Sequence, residues 1–216
     1  MGDDVNTSAR SVADKVMALV QALGTAEEPL RLAALSEVSG TSKSTARRLL
    51  LDLCTQGYAR SPGRGLYLPG PRLQGLAAAV VRHDPLGGVV AESLGALARA
   101  TGHVAARIGV ADGRAVVLAL ENPQRMPVPL RVGEELPPHD LWEGALGAPT
   151  AAHGVVEEYP NASSWMLAAP VDAGLTSYLV LAGLTFLRPQ DGTAAQLLRS
   201  HARALGGVSE QVRDVG

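Results

Sequence analysis

A single cysteine, Cys54, in 216 residues excludes an internal disulfide framework and leaves no thiolate cluster for a soft metal. Aromatic residues are almost as scarce at 3% of the chain, so the core has to be assembled from Leu, Val and Ala. No apolar run approaches the ~20 residues that cross a bilayer as a helix. The opening MGDDVNTSAR carries Asp3 and Asp4 and no apolar stretch, which predicts no secretory signal; with the lone cysteine it predicts a cytoplasmic chain without a membrane partner. The histidines, His83, His103, His139, His153 and His201, lack metal-ligand spacing. No Gly-x-Ser-x-Gly elbow is present, and Gly63-Arg64-Gly65 opens no helix of the kind a dinucleotide fingerprint needs. Paired carboxylates are missing too. The expectation is a chain that is not an enzyme, with no cofactor and no metal.

What is present is a globular composition, 46% hydrophobic and 19% charged, with an asymmetric charge. The net charge of −2 divides unevenly. Residues 30–72 hold Arg31, Lys43, Arg47, Arg48, Arg60, Arg64 and Arg72 against Glu37 and Asp52, a local charge of +5, while residues 73–216 sum to −4. A basic segment joined to an acidic one points to a polyanion for the first part alone, although a chance cluster of surface arginines gives the same count.

Ser11-Val12-Ala13-Asp14 has the form of a capping box. Val12, Val16, Leu19, Val20 and Leu23 follow as one helical stripe, and Gly24 ends it. Arg31 to Val38 reads as a short helix and Ser39-Gly40-Thr41 as a tight turn. Ser42 caps a helix running to about Thr55, whose inward stripe is Ala46, Leu49, Leu50 and Leu53. Two short strands, Tyr58 to Arg60 and Leu66 to Leu68, flank Ser61-Pro62-Gly63-Arg64-Gly65. Short helix, glycine turn, basic helix and hairpin is the pattern of a winged helix-turn-helix. A linker helix, Leu73 to Arg82, with Leu73, Leu76, Ala77 and Val80 on one stripe, ends at His83-Asp84-Pro85. Beyond it the pattern is α+β. A helix spans Val89 to Ala100, and strands His103 to Val110 and Arg114 to Leu120 flank Asp112-Gly113. A proline-rich stretch runs from Pro123 to Pro138, strands span Ser164 to Val171 and Ser177 to Phe186, and a closing helix runs from Thr193 to Val212. The expected domains are 1–72, a winged helix-turn-helix; 73–84, the linker helix; and 85–216, an effector-binding or oligomerisation domain.

The stretch from Leu32 to Leu50, LAALSEVSGTSKSTARRLL, resembles the helix-turn-helix of IclR-type transcription regulators. The resemblance continues through Tyr67-Leu68-Pro69-Gly70-Pro71-Arg72-Leu73 at the end of the wing and Leu97-Ala98-Arg99-Ala100-Thr101-Gly102. It extends through Arg131 to His139, like that family's "vG...PlHata.Gka" element, and Ala168-Ala169-Pro170-Val171, like its "aaPv" strand. It implies a GAF-like antiparallel α/β effector domain after the linker. Three departures stand out. Only Pro149 to Ser163 fills the place of a longer helical segment; Gly144-Ala145 lacks the family's lysine; and Val180-Leu181-Ala182-Gly183-Leu184 stands where pocket serines are frequent.

The resemblance implies double-stranded operator DNA as partner. Ser42, Lys43, Ser44, Thr45, Arg47 and Arg48 supply donors at the start of a recognition helix, and Arg60 and Arg64 supply charge on the wing. It also implies a ligand site around His139, Asp140, Trp142, Gly144, Met166, Val180 and Ala182. With valine and alanine in place of serines, the expected effector is apolar or uncharged, because burying an anion without donors is costly. The apolar linker stripe predicts a homodimer or tetramer. The leading expectation is a small-molecule-responsive repressor. One alternative is an effector-independent regulator whose C-terminal domain serves only oligomerisation or partner docking; a weaker one is an enzyme with an accessory helix-turn-helix.

Overall fold

The computed structural model describes residues 11–84, 86–136, 155–157, 164–171, 177–184, 187 and 192–213. The chain divides into two compact units, Met1–His83 and Asp84–Gly216.

The first unit opens on α1, Val12–Thr25, one residue past the predicted stop. Its capping box forms: Ser11 Oγ accepts from the Asp14 N–H, and the Asp14 carboxylate accepts from the Ser11 N–H at 2.9 Å. β1 (Leu30–Arg31) and α2 (Leu32–Val38) follow. The sequence places Arg31 inside the helix; it lies instead on a two-residue strand paired with Leu66, because the wing offers β1 a free strand edge. Gly40 turns the chain at φ 60, a conformation open to glycine, and leads into α3, Lys43–Thr55. The hairpin β2 (Ala59–Gly63) and β3 (Leu66–Pro69) completes a sheet of order β1-β3-β2. Leu19, Leu23, Leu35, Leu49, Leu50, Leu53 and Tyr67 form the core beneath it.

α4, Pro71–Arg82, starts on proline at its first helical position, where the missing N–H is no loss. Leu73 packs against the core, but none of the helix's residues is buried, and Leu76, Val80 and Val81 are 54%, 64% and 70% exposed. Of the predicted stripe, Leu73 is held on the core, while Leu76, Ala77 and Val80 are exposed, without cover among the described residues of the first unit.

The second unit is an antiparallel sheet of order β5-β4-β8-β7-β6, built from β4 (Val104–Ala111), β5 (Arg114–Glu121), β6 (Val155–Glu157), β7 (Ser164–Pro170) and β8 (Ser177–Leu184). β6 lies within the segment 149–163, for which the sequence carried no strand signal. α5 (Gly87–Thr101) and α6 (Thr193–Arg213) cover one face through Val90, Leu94, Leu97, Leu198, Ala202 and Leu205. The loop after β5 covers part of the other through Met126, Val128, Leu130 and Leu136. Both faces being covered, β7 and β8 read as unbroken apolar runs rather than alternating ones. Arg107 joins this unit's first turn to the sheet, donating to Asp84 and, at 3.2 Å, to Ser177 Oγ.

Candidate nucleic-acid interface and ligand recess

Ser42 sits in extended geometry at the N-cap of α3, and its Oγ accepts from the Thr45 N–H at 3.2 Å. The same hydroxyl donates to Thr45 Oγ1 at 3.0 Å and lies 2.9 Å from Ser44 Oγ. Ser42 and Thr45 are thus committed to building the helix end. Ala46, Leu49, Leu50 and Leu53 fix the helix on the core, so Lys43, Ser44, Arg47 and Arg48 emerge on the opposite face, all exposed. Among the described residues, neither Arg47 nor Arg48 has an ion-pair partner.

On the wing, Arg60 is exposed on β2 and Arg64 occupies the turn. Arg64 and Gly65 both take positive φ, 54 and 69, the geometry of a tight hairpin that favours Asn or Gly at its first place. Arg72 is engaged elsewhere, its guanidinium lying 5.1 Å from the centre of the Tyr58 ring. Cys54, near the end of α3, is half-buried, and burial pushes its thiol up, away from the reactive thiolate.

In the second unit, Met166 on β7 and Ala182 on β8 are register partners. They line a recess with Ser164, Trp165 and the loop residues Val128, Pro129 and Leu130. The recess is shallow and half open, with room for about one water molecule between its walls. Val180 lies on the same sheet face, fully buried between Ala106 and Ala168, and is not part of the lining. His139, Asp140, Trp142 and Gly144 lie outside the described residues. Trp165, Ser164 and the loop wall were not singled out from the sequence. A signal existed for Trp165, one of two tryptophans, set in an apolar strand. For Val128 to Leu130 there was none, since loop placement is a tertiary outcome.

Trp165 meets His103 edge to face, ring centres 4.8 Å apart. Among the described residues Ser164 Oγ, Trp165 Nε1 and His103 Nδ1 are buried without a hydrogen-bond partner. Burial lowers the His103 pKa, favouring the neutral ring. Outside the recess, Arg114 forks onto Glu135 at 2.8 and 2.6 Å. That hydrogen bonding holds the Glu135 carboxyl below its usual range. Among the described residues, no group of three or more His, Cys, Asp or Glu is arranged to hold a metal, and no helix is long and apolar enough to cross a membrane.

Residues 12–63 match the family model of the IclR helix-turn-helix domain. No curated protein matches the chain. Solved structures with a similar fold include an IclR homolog from Microbacterium hydrocarbonoxydans complexed with 4-hydroxybenzoate, with TM-score 0.70, 14% identity, and 93% of this chain and 100% of that one covered. An IclR-type transcriptional regulator from Alicyclobacillus acidocaldarius gives 0.67, 17%, 93% and 100%. Pseudomonas aeruginosa HmgR gives 0.60, 20%, 90% and 97%. At these identities the likeness is one of fold, and the matched helix-turn-helix supplies the activity. Residues 12–63 are an IclR-family helix-turn-helix domain, and the chain is a DNA-binding transcription regulator with the IclR fold.

Proposed function

We propose that the chain is a cytoplasmic repressor that binds operator DNA as a homodimer and responds to a neutral, largely apolar small molecule. Residues 1–72 are assigned to DNA, 73–84 to the linker and 85–216 to the effector. α3 enters the major groove with Lys43, Ser44, Arg47 and Arg48 toward bases and phosphates. Ser42 and Thr45 hold its start in shape, and Arg60 and Arg64 take the backbone beside it. The observation that carries this assignment is the exposed polar face of α3, two arginines without an ion pair among the described residues above a fully packed apolar stripe.

The dimer is supported by α4. Three large apolar side chains exposed on one short helix are unfavourable in a monomer, and a second copy of the same helix covers them. Replacing Leu76 and Val80 together by Glu is expected to give monomers in sedimentation velocity at micromolar concentration, where the wild type sediments as a dimer or larger. A wild-type monomer at that concentration contradicts the assembly.

The effector reading is supported by the recess. Met166 and Ala182 stand in its wall, and no cation among its lining residues would offset a carboxylate. A ligand larger than water has to displace part of this wall, and Met166, unbranched and adaptable, is the residue suited to give way. The related Microbacterium protein is complexed with 4-hydroxybenzoate. Here the methyl ester of that acid is expected to raise the melting temperature and the carboxylate to leave it unchanged, because a ligand stabilises the state it binds. Stabilisation by the carboxylate alone reverses the assignment of ligand class. The small room of the recess also favours a second reading, a C-terminal unit that only oligomerises; a metabolite screen with no shift at all supports that one.

A further inference from the structure

Two arginines of the first unit occupy positions that helix and turn physics give to other residues. Arg31 is the N-cap of α2, in extended geometry, and its side chain makes no capping hydrogen bond. That position favours Ser, Thr, Asp or Asn, whose oxygen satisfies a free backbone N–H, and the positive end of the helix disfavours a cation. Ser11 capping α1 and Ser42 capping α3 follow the rule, while Gly70 and Leu86 open α4 and α5 without a side-chain cap, so Arg31 is the one cation at an N-cap among these five helices. Arg64 breaks the second rule, holding φ 54 in a turn where Asn or Gly is less strained.

The fold brings the two departures together. β1 pairs with β3 so that Arg31 stands opposite Leu66, two residues beyond Arg64. The Leu32 N–H donates to the Gly65 carbonyl at 3.1 Å, tying the start of α2 to the wing turn. Both arginines are exposed, and among the described residues no carboxylate forms an ion pair with either. Glu27 and Glu28, in the connection before β1, are exposed as well. Among the described residues of the first unit nothing uses the Arg31 guanidinium, and the cap it displaces would have stabilised the helix. Local rules are broken where function requires it.

We propose that Arg31 is a DNA-backbone contact, carried beside the wing by β1 and acting with Arg64 on phosphates of one strand. The inference rests on the assignment of this unit's arginines to DNA. Arg31→Ser is the informative variant, because it restores a capping hydroxyl while removing the charge. In the full chain it is expected to raise the melting temperature by about 4 °C. Binding to a random-sequence 30-base-pair duplex, followed by fluorescence anisotropy over a range of salt, is expected to weaken about five- to tenfold near 0.1 M. The slope of log K against log salt should become shallower by about 0.9, the signature of one lost phosphate contact. Arg31→Lys should keep most of the slope. A wild-type slope in Arg31→Ser overturns the contact. A lowered melting temperature in that variant, with the slope unchanged, shows that Arg31 serves α2 instead. Failure of the wild type to bind the duplex at all overturns the DNA assignment itself and not Arg31's share of it.

Discussion

Truncating Trp165 to alanine is expected to cost the second unit about 3–5 kcal/mol, measured by denaturant unfolding of the full chain. The side chain is 2% exposed, the largest in the core between the sheet and its two helices. Its pairing partner on β8 is Gly183, and a Cβ there would lie 2.9 Å from the indole nitrogen. The ring therefore fills the space that a side chain at 183 would take, and it packs at right angles to the His103 ring, centres 4.8 Å apart. Removing it opens a cavity whose floor is backbone, which cannot collapse to fill it. Trp165→Phe is the control. It keeps much of the apolar volume and removes an N–H that has no partner among the described residues, so a loss below about 1.5 kcal/mol is expected. Equal losses from both variants would mean that the indole nitrogen, and not the ring's volume, holds the site together.

The second large effect concerns DNA. Arg47→Ala with Arg48→Ala is expected to abolish discrimination between operator and unrelated duplex while leaving the fold intact. Both side chains project from the face of α3 opposite its buried stripe, so their removal touches no packing. A bidentate arginine contact to guanine is worth about 1–3 kcal/mol of discrimination, so the pair accounts for roughly one to four orders of magnitude. Weak binding through the wing should persist and remain salt-sensitive. Measured by anisotropy at fixed salt, wild-type discrimination in the double variant would remove α3 from the role of reading helix.

How much of this was legible in the sequence depended on the range of the interaction. The caps at Ser11 and Ser42 and the stripe Ala46, Leu49, Leu50 and Leu53 are local and period-bound, and the structure has them in place. The Asp112-Gly113 hairpin is local too: both residues take the positive φ that the turn requires. Arg31 reads as helical in the sequence because its strand partner lies 35 residues away in the wing, and a two-residue strand leaves no periodic trace. The same distance hid its position beside Arg64. In the second unit, Met166 and Ala182 were reached through the family resemblance and lie together across β7 and β8. Periodicity within β7 and β8 is weak because both faces of the sheet are covered, so Trp165 looked like any residue of an apolar run. The loop wall at Val128 to Leu130 has no pattern of its own and is defined only by what it packs against.

Transcription regulation by this chain depends on α3 reading DNA. A footprinting titration on the DNA flanking its own gene, in the presence of excess unrelated duplex, tests it most directly. The expected result is a protected segment made of two related half-sites whose centres lie a whole number of helical turns apart, about 10 base pairs or a multiple, as two copies of one recognition helix require. Protection should be lost in the Arg47→Ala, Arg48→Ala variant at concentrations that saturate the wild type. Protection that survives in that variant, or uniform coverage without half-sites, would contradict it.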